Sequence, residues 1–252
     1  KYYSYRVEIQ ARGKISTLSF LQFSKSVVFI LGLPHVHGVA WIDPEWLNGF
    51  GINGKLIDQP EKTAELADML VSCSVTTDDD NLNDNVKLVQ KHSHSKSCRK
   101  YGTSCRFGFP RLPSKYTMIA KPLTDDMDPD TKKATKKKVE NILSSAKELL
   151  ESEEINEDMS IDDFVKVLGV TDEDYHMAVG TMEKGSQLVL KRQVSERFIN
   201  YYNPEVQKVW KANTDFQLAF DTYSIVTYMI SYVGKDETGM TKFLKEALNA
   251  NL

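Results

Sequence analysis

The stretch Tyr5-Arg6-Val7-Glu8-Ile9-Gln10 alternates strictly, with Tyr5, Val7 and Ile9 on one side and Arg6, Glu8 and Gln10 on the other. That period of two is the pattern of a half-buried β-strand with a polar face. A second strand, His35-Val36-His37-Gly38-Val39-Ala40-Trp41-Ile42, is opened by Pro34 and closed by Asp43-Pro44. Further along, Asp215 to Phe220 alternates again, with Phe216, Leu218 and Phe220 assigned to a core and Asp215 and Gln217 to the opposite side. Helical periodicity appears between these strands. From Thr124 to Asp158 the composition shifts to Lys and Glu, with Ile142, Leu143, Ala146, Leu149 and Leu150 at helical spacing, which predicts an amphipathic helix in an exposed excursion. Ser160-Ile161-Asp162-Asp163 and Thr171-Asp172-Glu173-Asp174 resemble capping boxes, each opening a short helix. A last helix is expected from about Thr222 into Val233, ended by Gly234. The order strand, strand, helical excursion, strand, helix predicts an α+β fold with a mainly antiparallel sheet flanked by helices.

With 252 residues, 41% apolar and 27% charged, the chain has a globular composition that excludes disordered and collagen-like classes. Its longest apolar stretch, Ile15 to Leu31, is interrupted by Lys25, Gln22 and several Ser and Thr, too polar for a bilayer span, so no membrane partner is expected. The 32 basic and 35 acidic residues nearly cancel, to a formal net charge of −3. Charge is nevertheless segregated: Val86 to Pro113 carries seven Lys or Arg and no carboxylate, directly after the acidic loop Thr76 to Asn85. Three cysteines without an N-terminal signal pattern argue for a reducing compartment and against a disulfide framework. The chain begins at Lys1 rather than Met and is read as a piece of something longer.

Three constellations could carry chemistry. In His35-Val36-His37 the strand period puts both imidazoles on one face, about 7 Å apart at the backbone and within reach of one ion. In Tyr228-Met229-Ile230-Ser231-Tyr232 the i, i+4 spacing lets both phenols visit one site, with Lys235 close by. A phenol becomes a nucleophile toward phosphorus once a metal polarises the phosphate and a basic group eases its deprotonation. In the third, His92, His94, Cys98 and Cys105 bring soft donors together in a polar basic loop, the chemistry of a structural zinc site, although the spacing is not that of a standard finger. Bland readings stand beside each: half-exposed strand histidines, aromatic core packing, and free histidines with inert thiols. Cys73 reads as a small buried residue that could otherwise close the metal site, and His176 as a residue with no special role.

Taken together, Y-R-V-E-I-Q-A-R-G (Tyr5 to Gly13), L-P-H-V-H-G (Leu33 to Gly38), C-R-F-G-F-P-R (Cys105 to Arg111), Y-N-P-E-V-Q-K-V-W-K-A-N-T-D-F-Q (Tyr202 to Gln217) and Y-M-I-S-Y-V-G-K (Tyr228 to Lys235) resemble the helitron helicase-like, or Rep, domain of Helitron rolling-circle transposons. The resemblance implies an HUH-type nuclease fold. It further implies a divalent metal, Mg or Mn, bound by His35 and His37 with Gln10, or else Glu8, as a third ligand; Asp215 and Gln217 are a less favoured source. Tyr228 and Tyr232 are then the nucleophiles that attack the scissile phosphate of single-stranded DNA to leave a 5′-phosphotyrosine, and Lys235 pairs with the phenolate or the phosphate. Arg106, Arg111, Lys191 and Arg192 are expected on the DNA backbone, with a helicase domain of the parent protein in cis and a nuclear location. No phosphate-binding G-x-x-x-x-G-K-[ST] occurs in the chain, so these residues are not themselves a motor.

On this reading residues 1–60 are the first part of the nuclease core, 61–120 the His/Cys segment, 121–190 the helical excursion, and 191–252 the second part of the core with the tyrosine helix. The family pattern would run from Arg12-Gly13 directly into Leu33-Pro34, and the 19 residues Lys14 to Gly32 interrupt it as an insert or a retained intron translated in frame. Two rival readings are a decayed or co-opted copy that binds DNA without cutting it, and a zinc-stabilised adaptor that binds protein through the helical excursion. If 14–32 is an insert, a chain lacking it is expected to unfold cooperatively in urea like the full chain, because a shorter connection between two strands costs less loop entropy. An insoluble deletion beside a soluble full chain overturns the insert.

Overall fold

The computed structural model describes residues 3–10, 35–42, 44–100, 102, 104–183 and 185–220; the suspected insert at 14–32 and the expected final helix at 222–233 lie outside them. The chain is α+β. In order it forms β1 (Tyr3–Gln10), β2 (His35–Ile42), α1 (Pro44–Gly49), α2 (Pro60–Leu70), α3 (Asp80–Val89), β3 (Met118–Pro122), α4 (Pro129–Glu151), α5 (Ile161–Leu168), α6 (Asp172–Val179), β4 (Thr181–Met182), β5 (Gln187–Val189), α7 (Pro204–Trp210) and β6 (Thr214–Leu218). Both strands predicted at the start of the chain are present, and the third alternating stretch is β6, where Thr214, Phe216 and Leu218 are buried and Asp215 and Gln217 half-buried.

Among the described residues two three-stranded sheets form. The first has the order β2-β1-β6 and is antiparallel throughout. The second has the order β4-β3-β5, with β4 parallel and β5 antiparallel to β3. The expectation of one mainly antiparallel sheet is corrected accordingly: the strands split between two small sheets, one of them mixed. The parallel pair has a topological cause. Between β3 and β4 the chain runs through α4, α5 and α6, and a parallel return requires such a crossover.

Those three helices form a unit with a core of their own. α4 buries Val139, Ile142, Ala146 and Leu150 against Phe164, Val165, Tyr175 and Ala178. Ser160 accepts from the Asp163 N–H at 3.1 Å to start α5, Thr171 accepts from the Asp174 N–H at 3.1 Å to start α6, and Asp128 accepts from the Thr131 N–H at 3.0 Å to start α4. Lys115 ties α5 to α6 by bridging Asp162 and Asp172, each at 2.6 Å. The other main core gathers α2, α3, the second sheet and β6 around Ala67, Leu82, Val86, Leu188, Leu190, Tyr202 and Phe216.

A buried amide network joins these elements. Gln90, at the C-terminal cap of α3, is fully buried and donates its side-chain amide to Gln207 Oε1 at 2.7 Å; its own Oε1 accepts from Asn213 Nδ2 at 3.2 Å and from the Thr214 N–H at 3.3 Å. Gln207, equally buried, donates to Asn85 Oδ1 at 2.6 Å and to the Ala212 carbonyl at 3.1 Å. A buried amide left without partners costs about 1–3 kcal/mol for each group orphaned. Gln90→Leu is therefore expected to lower stability by about 2–4 kcal/mol, read as a shifted urea midpoint at unchanged slope. A shift under about 0.5 kcal/mol contradicts the role given to the network.

Candidate metal centre

The segment after Gln90 is too polar and too basic to fold by burial alone, and its backbone is held by a neighbour. Lys91 pairs with Ile199 in an isolated antiparallel bridge, and the His92 N–H donates to the Phe198 carbonyl at 2.7 Å. On this extended run His92 and His94 fall on the same side. A tight turn follows: the Ser95 N–H donates to Cys98 Sγ at 3.1 Å, and the Cys98 N–H returns to the Ser95 carbonyl at 3.2 Å. The Arg106 N–H then donates to the Cys98 carbonyl at 2.9 Å and brings the second arm back beside the first.

These local folds converge four donors. The ligand atoms of His92, His94, Cys98 and Cys105 all lie within 4.8 Å of one another, with Cys98 Sγ 3.6 Å from His94 Nδ1 and Cys105 Sγ 3.4 Å from His92 Nε2. A tetrahedral ion with sulfur at about 2.3 Å and nitrogen at about 2.0–2.1 Å sets its ligand atoms roughly 3.4–3.8 Å apart. The cluster fits that geometry with contraction of about 1 Å or less, and it could hold a metal ion.

Its surroundings suit a metal. Cys98 and Cys105 are buried with Phe109, and Phe198 packs against them. His92 stacks on Phe109 with centroids 4.4 Å apart and planes 10° from parallel, while His94 meets Phe198 edge-on at 5.6 Å. Burial, helped by the charges of His94, Arg111 and Arg99, holds the His92 imidazole below its usual pKa, which keeps its lone pair available. The backbone N–H of Ser95, aided by bonds from Cys105 and Ser95 and by the Arg99 charge, pulls the Cys98 thiol down toward the thiolate that a metal requires, against the effect of burial. Behind His94, its Nε2 lies 3.5 Å from Glu151 Oε1, close to the carboxylate without a hydrogen bond to it. Arg99 anchors the same carboxylate at 3.2 and 3.3 Å.

The other site residues fall as follows. In the first sheet, β1 pairs Gln10 with His35 and Glu8 with His37, and on its other side pairs Glu8 with Asp215 and Arg6 with Gln217. Directly opposed positions of an antiparallel pair share a face, so Glu8, Gln10, His35, His37 and Asp215 are neighbours on one face of this sheet. Gln217 Nε2 reaches Asp215 Oδ2 at 2.9 Å. Tyr228, Tyr232 and Lys235 lie outside the described residues. Of the expected DNA contacts, Arg192 is corrected: it is 2% exposed, and its guanidinium donates to the carbonyls of Glu196 and Ile199, so it cannot reach a nucleic acid. Lys191 is exposed and lies 3.3 Å from Asp68. Arg106 is exposed beside the metal cluster, and Arg111 lies half-buried over the rings of Phe109 and Tyr201. Cys73 is buried apart from the cluster, its thiol pushed up to about 11 by burial. The sequence reading did not identify Glu151, Phe109 or Phe198 as part of the site; Phe109 stands four residues after a ligand, but Glu151 and Phe198 are distant in the chain and carry no local signal.

Comparison of the chain with protein-family models, curated proteins and solved structures returns no match.

A cluster filled by zinc predicts about one zinc ion per chain by elemental analysis. Cys98→Ser with Cys105→Ser is expected to abolish the bound zinc and lower the melting temperature. Metal content that survives the double substitution places the ion elsewhere.

Proposed function

We propose that the chain is the nuclease part of a Helitron-type rolling-circle protein: a metal-dependent enzyme that nicks single-stranded DNA and rejoins it through a 5′-phosphotyrosine. The observation that carries the reading is the register of the first sheet. His35 and His37 stand opposite Gln10 and Glu8 on the central strand, with Asp215 in the same row on the far side. Adjacent strands lie about 4.8 Å apart, and histidines opposite residues that carry oxygen donors are the residue types that suit a divalent cation such as Mn²⁺ or Mg²⁺. Such an ion would polarise a phosphoryl oxygen of the scissile phosphate. Glu8 or Gln10 supplies the third ligand.

Tyr228 and Tyr232 are assigned as nucleophiles on the family resemblance of their motif. One phenol gives up its proton and its oxygen attacks phosphorus, the bond to the 3′-oxygen breaks, and that oxygen takes up a proton and leaves as a free 3′-hydroxyl, so the proton lost by the phenol is matched. Lys235 balances the charge of the phenolate. The second tyrosine accepts the next strand, so that cutting and joining alternate. The His/Cys cluster is assigned to zinc: two sulfur and two nitrogen donors favour a closed tetrahedral structural site. Arg106, Arg111 and Lys191 are assigned to the phosphate backbone, and the parent protein's helicase domain and a nuclear location belong to the same proposal.

With Mn²⁺ or Mg²⁺ present, labelled single-stranded DNA is expected to yield a covalent protein adduct on the 5′ end of one product, resolved on denaturing gels. His35→Ala should reduce the adduct at least 100-fold while DNA binding stays within about threefold, since binding draws on the cationic residues. The pair Tyr228→Phe and Tyr232→Phe should remove the adduct. A full-strength adduct with both tyrosines replaced excludes the mechanism.

A further inference from the structure

The turn that follows Cys105 presents an arginine and an aromatic ring outward beside the metal cluster. Gly108 donates its N–H to the Cys105 carbonyl at 2.9 Å, which closes the turn and leaves Arg106 and Phe107 at its tip. Gly108 has φ +75°, a conformation that favours glycine, and a Cβ there would come within 3.4 Å of the Arg111 guanidinium. Both ends of the turn are fixed. Cys105 belongs to the cluster, and Phe109 is buried and stacked on His92.

Phe107 at this rigid tip is 46% exposed. The Arg106 guanidinium lies 4.6 Å from its ring centroid, and the His92 ring meets it edge-on at 5.8 Å. An exposed phenylalanine is ordinary by itself, but this one stands in the stretch that carries seven cations and no carboxylate. Part of that charge is neutralised from the α4 side, where Arg99 pairs with Glu151 and Lys91 lies 3.6 Å from Glu157. Arg106 and Lys96 form no ion pair among the described residues and are exposed. A ring held at both ends of its turn, with an exposed guanidinium 4.6 Å from its centroid, complements a flat apolar group that carries its own negative charge. A nucleotide of a single strand has that chemistry, with a base to stack and a phosphate to neutralise.

We propose that Phe107 is a stacking platform for an unpaired nucleobase of single-stranded DNA and that Arg106 holds the adjoining phosphate. Stacking engages the π-face that every base has, so the platform accepts any base. This inference takes its ligand class from the nuclease reading, yet it concerns binding and stands apart from cleavage.

The test measures fluorescence anisotropy of the full chain with no Mg²⁺ or Mn²⁺ added, using an oligothymidylate of about 16 nucleotides and an abasic oligonucleotide of the same length. Phe107→Ala is expected to weaken oligothymidylate binding about tenfold and to leave abasic binding unchanged, while Phe107→Trp retains full affinity. Arg106→Ala should lower the slope of log K against log salt by about 0.7 on both probes. Equal affinity of Phe107→Ala and the parent chain for oligothymidylate overturns the platform, and so does a parallel loss on both probes, which marks a folding defect. A parent chain that binds neither probe overturns it as well. A chain that forms the covalent adduct but shows no dependence on Phe107 loses this inference alone. A chain with base-dependent binding through Phe107 and no adduct keeps it and loses the nuclease reading.

Discussion

Gln90 is the residue on which both candidate sites depend. It ends α3, and two residues later the chain reaches His92; across its side-chain amide lie Gln207 of α7 and Thr214, the first residue of β6. β6 in turn forms one side of the sheet whose central strand pairs with the histidine-bearing β2. Hydrophobic contact is non-directional and would tolerate a shift of one residue, but an amide buried among other amides has a single satisfactory arrangement. The start of the metal segment and the register row of Asp215 are thereby set against one another by hydrogen bonds that water cannot replace.

A second polar device supports the far side of the cluster. Arg192 and Glu196 are both buried, yet their charged ends face backbone: Arg192 donates to the carbonyls of Glu196 and Ile199, and Glu196 accepts from the N–H groups of Val75 and Gln193 at 3.1 and 2.8 Å. The loop so braced carries Arg197 together with Phe198 and Ile199, and the last two pair with or cover the extended run from Lys91 to His94. Arg197 also donates to the Leu150 carbonyl at 3.2 Å, at the end of α4. A charge reads as a surface residue in a sequence; here it is used as a clamp on loop backbone.

How far the chain could be read in advance follows the range of the interactions. Alternation in Tyr5 to Gln10 and in Asp215 to Phe220 is written every second residue, and the Ser160 and Thr171 caps act over three residues, so strands and helix starts were legible, with β6 set one residue earlier and ending at Leu218. The donors of the metal cluster were legible for the same reason, being close in sequence. What was not legible depends on partners far along the chain. The split into two sheets follows from the crossover between β3 and β4, the burial of Arg192 from a loop that folds back on it, and the contact of Glu151 with His94 from the length of α4. Periodicity cannot distinguish a cation that meets DNA from one that meets carbonyls.

The separation between the four donors and what encloses them has a consequence for the order in which the site is built. All of the donors lie within residues 92–105, whereas Glu151 and Phe198 are supplied much later in the chain. During synthesis the donor set is therefore complete well before its aromatic wall and outer carboxylate exist, and closing so short a loop is entropically inexpensive. A nascent chain that takes up an ion there would meet it as an open chelate, which the later residues would turn into an enclosed site.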